Sequence, residues 1–322
     1  MTEKEKTQKD LLQFECESKD EAGKTIREKP IVIMGTSGFG TKRSPHLRVY
    51  AYGGIIGRIP IEESNAEYHL ATVAYEKWLE GDKKEQLKDF LALKSEPPAK
   101  RGSSKKDALE NPKYLSLICE AARRRFSSLK NFPKERNIQV KIAKRSMVSS
   151  AANVVCDMEY CVPKVNDAKQ STDKGKNPNF DLITIDKNGK IGFIELKSEK
   201  SSCIGKSGIK EHYKDIQHCL HLPLATEEIK YRYNVLCENG LINRTEVKKA
   251  ASENKKDTFC GFLFHKSDSL KSQAVVVEIC KKELEGFDLS GDFVFFQFVS
   301  SVEEVDFDHM QTWQEFCASA ES

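Results

Sequence analysis

The chain has no apolar run near the ~20 residues that a membrane-crossing helix needs. Its start, MTEKEKTQKD, is charged where a secretory signal would be apolar, so a cytoplasmic protein with no membrane partner is expected. Ten cysteines are scattered between Cys16 and Cys317 without one CxxC pair, which argues against a zinc knuckle and a disulfide framework and for reduced, buried thiols. The glycine-rich turn GTSGFG is not closed by GK[ST], so it does not read as a phosphate loop. Lys and Arg are missing altogether from residues 283–322, which carry ten Asp or Glu.

That last absence exposes an asymmetry. The net charge is +3, yet residues 1–282 alone hold +13. A basic body suits a polyanion, because cations that neutralise phosphates release counterions. The basic stretches 123–125 and 141–145 could line a phosphate track or lie on a solvated surface.

With 322 residues and 39% hydrophobic content, the chain can build one large domain or two ordinary ones. Residues 1–29 are charged and poor in apolar positions and read as a mobile N-terminus. Residues 30–94 read as an α+β region: a strand at 31–34, a β-rich stretch at 46–61, and helices at 66–79 and 84–93. Residues 95–106, SEPPAKRGSSKK, make the best linker. Asn111-Pro112 then opens a helix to about 129, with an apolar stripe of Leu115, Ile118, Cys119, Ala122, Phe126 and Leu129.

A period-two pattern over 152–162 predicts a strand, and a polar loop leads on to FDLITIDKNGKIGFIELKS at 180–198. Two β-rich runs joined by DKNGK predict a hairpin whose loop length decides which side chains meet. A two-residue turn at Asn188-Gly189 would put Asp181 and Glu195 on opposite faces. A type I turn at Lys187-Asn188 with Gly189 left-handed pairs Asp186 with Lys190 and Asp181 with Glu195, so both acids share a face. The longer loop is preferred, because the shorter one needs positive φ at Asn188 as well as at Gly189. Both faces of the hairpin are apolar, so it should lie centrally in a sheet. Two carboxylates and Lys197 there are costly unless something compensates them. Mg2+, which prefers hard oxygen ligands, is the expected cofactor; it polarises a phosphodiester and lowers the pKa of bound water.

Asp181, followed after thirteen residues by Glu195-Leu196-Lys197, resembles the core motif of the PD-(D/E)xK nuclease superfamily, which includes many restriction endonucleases and repair nucleases. The likeness is specific over 180–198 and extends over about 152–222, where a strand, the hairpin and a following helix keep the family's order. It implies a restriction-endonuclease-like α/β core at 107–300, a mixed central β-sheet flanked by helices. It also implies that Asp181, Glu195 and the main-chain carbonyl of Leu196 hold Mg2+, with Mn2+ as a substitute, and that Lys197 assists the attacking water. Pro178 stands three residues before Asp181, where the family name puts it adjacent. The upstream glutamate of many members has two candidates. Glu120 rotates away from its helix's apolar stripe, and Glu159 lies on the polar side of the preceding strand. Lys214 and Gln217, on a helix expected over 208–222, are the substrate-binding candidates, while His218 and His221 read as solvated.

Strands are expected at 261–264, 274–279 and 293–298, and the acidic tail 301–322 should carry a short amphipathic helix with Trp313 and Phe316. The tail is expected to shield the basic cleft or to dock on a partner subunit or second copy. The function expected is a Mg2+-dependent nuclease, with DNA preferred to RNA and a setting in restriction or defence, both on the resemblance alone. The alternatives are an inactive nucleic-acid-binding module on the same fold, or a scaffold or effector-binding protein acting through its N-terminal region.

Overall fold

The computed structural model describes residues 16–19, 25–28, 31–37, 44–52, 54–60, 69–70, 74–91, 111–128, 134–148, 153–161, 179–186, 188–219, 223–238, 242, 258–289 and 293–321. The chain divides into two compact units, Met1–Val140 and Lys141–Ser322. The expected linker 95–106 lies outside the described residues.

In the first unit, β1 (Cys16–Lys19) pairs antiparallel with β2 (Thr25–Glu28), a short ladder within the charged start. A four-stranded antiparallel sheet follows, with β3 (Ile31–Ser37), β4 (Ser44–Ala51), β5 (Gly54–Pro60) and β6 (His69–Leu70) in sequential order. One face of the two central strands carries Leu47, Val49 and Ile59, all fully buried. The expected helix at 66–79 is not formed. β6 and a 3-10 turn, Tyr75–Trp78, occupy part of that span, and the buried Tyr75 ring anchors the turn under the Arg125 guanidinium, 5.4 Å away.

Helix α1 (Gly81–Leu91) and helix α2 (Pro112–Ser128) follow in this unit. Asn111 caps α2 by accepting the Lys113 N–H at 2.9 Å, and Pro112 sits at the first helical position, where no N–H is needed. Leu115, Ile118, Cys119 and Ala122 are buried, as the stripe requires. Glu120 faces outward and pairs with Lys83 and Arg124, each at 2.8 Å. Helix α3 (Lys134–Val148) contains the division between the units.

The second unit is mixed α/β, a five-stranded mixed sheet flanked by helices. Its strands run in the order β11-β10-β9-β8-β7, where β7 is Asn153–Cys161, β8 Asn179–Asp186, β9 Ile191–Lys197, β10 Thr258–His265 and β11 Val294–Val299. β7, β8 and β9 form an antiparallel meander, whereas β9, β10 and β11 are parallel. Parallel neighbours require crossovers. The chain between β9 and β10 holds α4 (Lys200–Cys203), α5 (Ile209–Cys219) and α6 (Pro223–Glu238), and α7 (Gln273–Glu283) joins β10 to β11.

Residues 274–279, expected as a strand, are therefore part of α7. Short apolar runs do not reveal their period, and here Ser272 caps a helix that buries Val276, Val277 and Cys280. Gly192, paired with Thr184, lets β10 close on the hairpin, since a Cβ there would collide with Thr184 Oγ1 and the Phe259 ring. Lys190 Nζ caps that Phe259 ring from 5.1 Å.

The acidic C-terminal segment is built into this unit. Val302, Val305, Phe307, Met310 and Phe316 are buried, and Arg145 of α3 donates to the carbonyls of Val302 and Val305 at 3.0 and 2.9 Å. Helix α8 (Trp313–Ala318) starts with a Thr312/Glu315 capping box and sets Phe316 among Phe264, Phe296 and Trp313. No helix among the described residues is long and apolar enough to cross a membrane.

Candidate active site

The hairpin has the three-residue loop. Asp186 N–H donates to Lys190 O at 3.0 Å, and Gly189 N–H donates back to Asp186 O at 3.1 Å. Gly189 takes φ of 85°, the left-handed region that glycine enters without a Cβ clash. Asp186 Oδ1 also accepts the N–H groups of Asn188 and Lys190, at 2.8 and 2.7 Å, so this side chain fixes the loop from inside.

The register follows: Ile185 opposes Ile191, Ile183 opposes Phe193, and Leu182 opposes Ile194. One step further, Asp181 falls opposite Glu195. With side chains alternating along each strand, Asp181, Glu195 and Lys197 share one face with Ile183, Ile185, Ile191 and Phe193. Asp181 is held from the next strand, since its Oδ2 accepts the Leu196 N–H at 2.7 Å. Lys197 Nζ lies 3.2 Å from Glu195 Oε2, and both side chains are almost wholly buried, 4% and 1% exposed.

Burial pushes the Asp181 carboxyl well above the usual carboxylate range, and the Glu195 charge beside it adds to the rise. The Lys197 ammonium and the Leu196 N–H pull the other way without cancelling it. Phe262 of β10 stands beside Glu195 in the parallel register and stacks with Phe296 at 5.8 Å, giving that side of the acids an apolar wall. Two like charges this close, one buried and the other half-buried, are strongly unfavourable, so the site favours either a proton or a cation.

Glu159 comes to the same place by an irregular route. β7 has a bulge between Val155 and Asp157, and Glu159 has φ of 52°, uncommon for a non-glycine residue. Met158 opposes Leu182 and Tyr160 opposes Phe180, which puts Glu159 opposite Asp181, and its charge further raises the Asp181 carboxyl. Two residues earlier, Asp157 is buried in an ion pair with Arg232 of α6. Glu159, Asp181 and Glu195 thus stand at successive positions across three neighbouring strands.

Helix α5 brings His212 to the site, with Nδ1 3.1 Å from Glu195 Oε1. Lys214 and Gln217, the sequence candidates on this helix, are exposed, and Lys214 pairs with Glu211 at 2.7 Å. The helical period carried the signal: Ile209, Tyr213 and Ile216 are buried, and His212 shares their side of the helix, three residues from Ile209 and four from Ile216. The His218 side chain and His221 lie outside the described residues.

Among the described residues no three His, Cys, Asp or Glu side chains form a group that could hold a metal by themselves. The donor set nevertheless fits a hard cation that keeps waters in its shell. Asp181 and Glu195 supply carboxylate oxygens. Within an extended residue the N–H and C=O leave on one side, so the Leu196 carbonyl is directed the same way as the N–H that binds Asp181. Comparison with known protein families, with curated proteins and with solved structures finds no match to this chain.

Proposed function

We propose that the second unit is a metal-dependent nuclease that hydrolyses phosphodiester bonds of nucleic acid. The observation that carries this reading is the convergence of Asp181 and Glu195 on one face, with Lys197 Nζ 3.2 Å from Glu195. The order of strand, hairpin and helix supports a restriction-endonuclease-like core, and with it the resemblance to the PD-(D/E)xK superfamily. A preference for DNA, and a setting in restriction or defence, rest on that resemblance.

Asp181, Glu195 and the Leu196 carbonyl would hold Mg2+ or Mn2+, with Glu159 placed to add a carboxylate directly or through water. The bound ion supplies a Lewis acid for a phosphoryl oxygen and lowers the pKa of a coordinated water. Lys197, fixed against Glu195 in a buried position, presents an ammonium that would orient the attacking water and offset negative charge on the phosphoryl oxygens. His212, with Nδ1 3.1 Å from the other Glu195 oxygen, is near enough to steady that carboxylate once a metal orients it. The surrounding Phe and Ile side chains keep bulk water out and so strengthen each of these interactions.

The test is incubation of the purified chain with labelled DNA and RNA in Mg2+, Mn2+ or EDTA, beside Asp181→Ala and Lys197→Ala. Metal-dependent shortening of the substrate, lost in both folded variants, is the expected result. Tight binding without cleavage would instead mark an inactive binding module, and neither binding nor cleavage would leave the scaffold reading.

A further inference from the structure

The first unit has a cationic feature that the proposed reaction does not use. In the β4–β5 register Arg48 lies directly opposite Arg58, so two basic residues face each other across adjacent strands. The residues flanking Arg48 in β4, Leu47 and Val49, are fully buried on the other face, as is Ile59 beside Arg58. The two arginines therefore share the face away from that core.

Directly opposed residues have Cβ atoms about 4.5–5.5 Å apart, a separation at which like charges destabilise a sheet. Both arginine residues are half-buried, so water does not fully screen them. Arg48 has an anchor, its Nη1 lying 3.5 Å from the Tyr50 hydroxyl, and Tyr50 is buried. Arg58 has no carboxylate partner among the described residues. Burial, followed by the Arg48 charge, lowers its pKa from the ordinary value, so the neighbourhood works against the charge that this side chain carries. Two arginines at directly opposed positions, one with no counter-charge among the described residues, offer planar donor forks suited to tetrahedral phosphate oxygens.

We propose that Arg48 and Arg58 form a phosphate-binding site on the four-stranded sheet that engages the backbone of a nucleic acid strand. A phosphodiester bridging the two guanidinium groups replaces their repulsion with charge-assisted hydrogen bonds. The interaction is with the backbone, so it is independent of base sequence and strongly salt-dependent. This assigns a binding role to the first unit and uses no residue of the proposed catalytic site.

The experiment is fluorescence-polarisation binding of labelled single- and double-stranded 20-mers to the full chain in EDTA, in the Asp181→Asn background, across a salt series. Keeping cleavage out separates the result from the nuclease reading, which has its own assay. Arg48→Gln/Arg58→Gln should weaken binding about tenfold near physiological salt and reduce the log–log salt slope by roughly 1 for each phosphate that is no longer neutralised. Arg58→Lys, which keeps the charge, should retain most of the slope and guards against loss of fold. Lys84→Gln, an exposed cation elsewhere in the same unit, should change little. An unchanged affinity and slope in the double variant would overturn the proposal. A second arm measures melting temperature in inorganic phosphate and in ATP. Protection that depends on the two arginines, with oligonucleotide binding unaffected, would overturn the nucleic-acid assignment in favour of a small-phosphate site.

Discussion

Asp181 of β8 accepts the main-chain N–H of Leu196 at 2.7 Å, so the acid of one strand is fastened to the residue that follows the acid of the next. The tie holds Asp181 near Glu195 although the two charges repel, and it aligns the Leu196 carbonyl with them. The cost of that closeness is measurable in the absence of metal.

Asp181→Asn should stabilise the metal-free protein at neutral pH by about 1 kcal/mol, a rise of about 2–4 °C in Tm for a unit of this size. The folded carboxyl keeps its proton to a higher pH than the unfolded chain does. Between the ordinary carboxylate range and the folded value, the folded state therefore binds more protons, and stability falls as pH rises. Below that window both states are protonated and the effect vanishes. Urea midpoints in EDTA at pH 4 and pH 8 should show the advantage of the variant growing with pH; a constant gap would count against the assigned cause.

A divalent ion should reverse that balance. Mn2+ at about 100 times its Kd adds about 2.7 kcal/mol to a protein that binds it only when folded. The melting temperature of the native chain should rise accordingly, while Asp181→Asn and Glu195→Gln should respond little. An equal response in all three would place the ion elsewhere.

His212→Gln should reduce metal affinity or cleavage by about 10–100-fold, the usual effect of removing a group that steadies a ligand. The loss should be partly recovered at high Mn2+, because the ligands themselves remain. Rate measured against metal concentration separates this from a loss of substrate binding, which metal would not restore.

Arg232→Met should destabilise the second unit by about 3–5 kcal/mol, since it removes the counter-charge of the buried Asp157 carboxylate. Changing both residues, Asp157→Leu with Arg232→Met, should recover much of the loss. Urea unfolding of the four members of this cycle gives the coupling directly.

The hairpin register was legible in the sequence because DKNGK places its one glycine where the three-residue loop needs a left-handed backbone, and the flanking strands are apolar on both faces. That was enough to place Asp181 against Glu195. Glu159 was harder, because the period-two count over β7 does not survive the bulge at Val155 and Asp157. Asp157 and Arg232 are 75 positions apart, so no local pattern could pair them. The Val-rich run 274–279 fits a strand or a buried helix equally well, and Ser272, which starts the helix, lies just outside it. The Arg48–Arg58 opposition depends on a register that shifts between Val49 and Tyr50, which residue types do not announce.

The Asp186–Lys190 loop sits at the far end of the hairpin from the acids and takes no part in the chemistry, yet it acts as a molecular spacer. Replacing its side chains one at a time would leave the strands in phase so long as the glycine stays. Adding or removing a single residue there would rotate one strand by half a pleat relative to its neighbour and carry Asp181 to the reverse side. Insertions at this tip, distant and solvent-facing as it is, should therefore be as damaging as loss of a metal ligand.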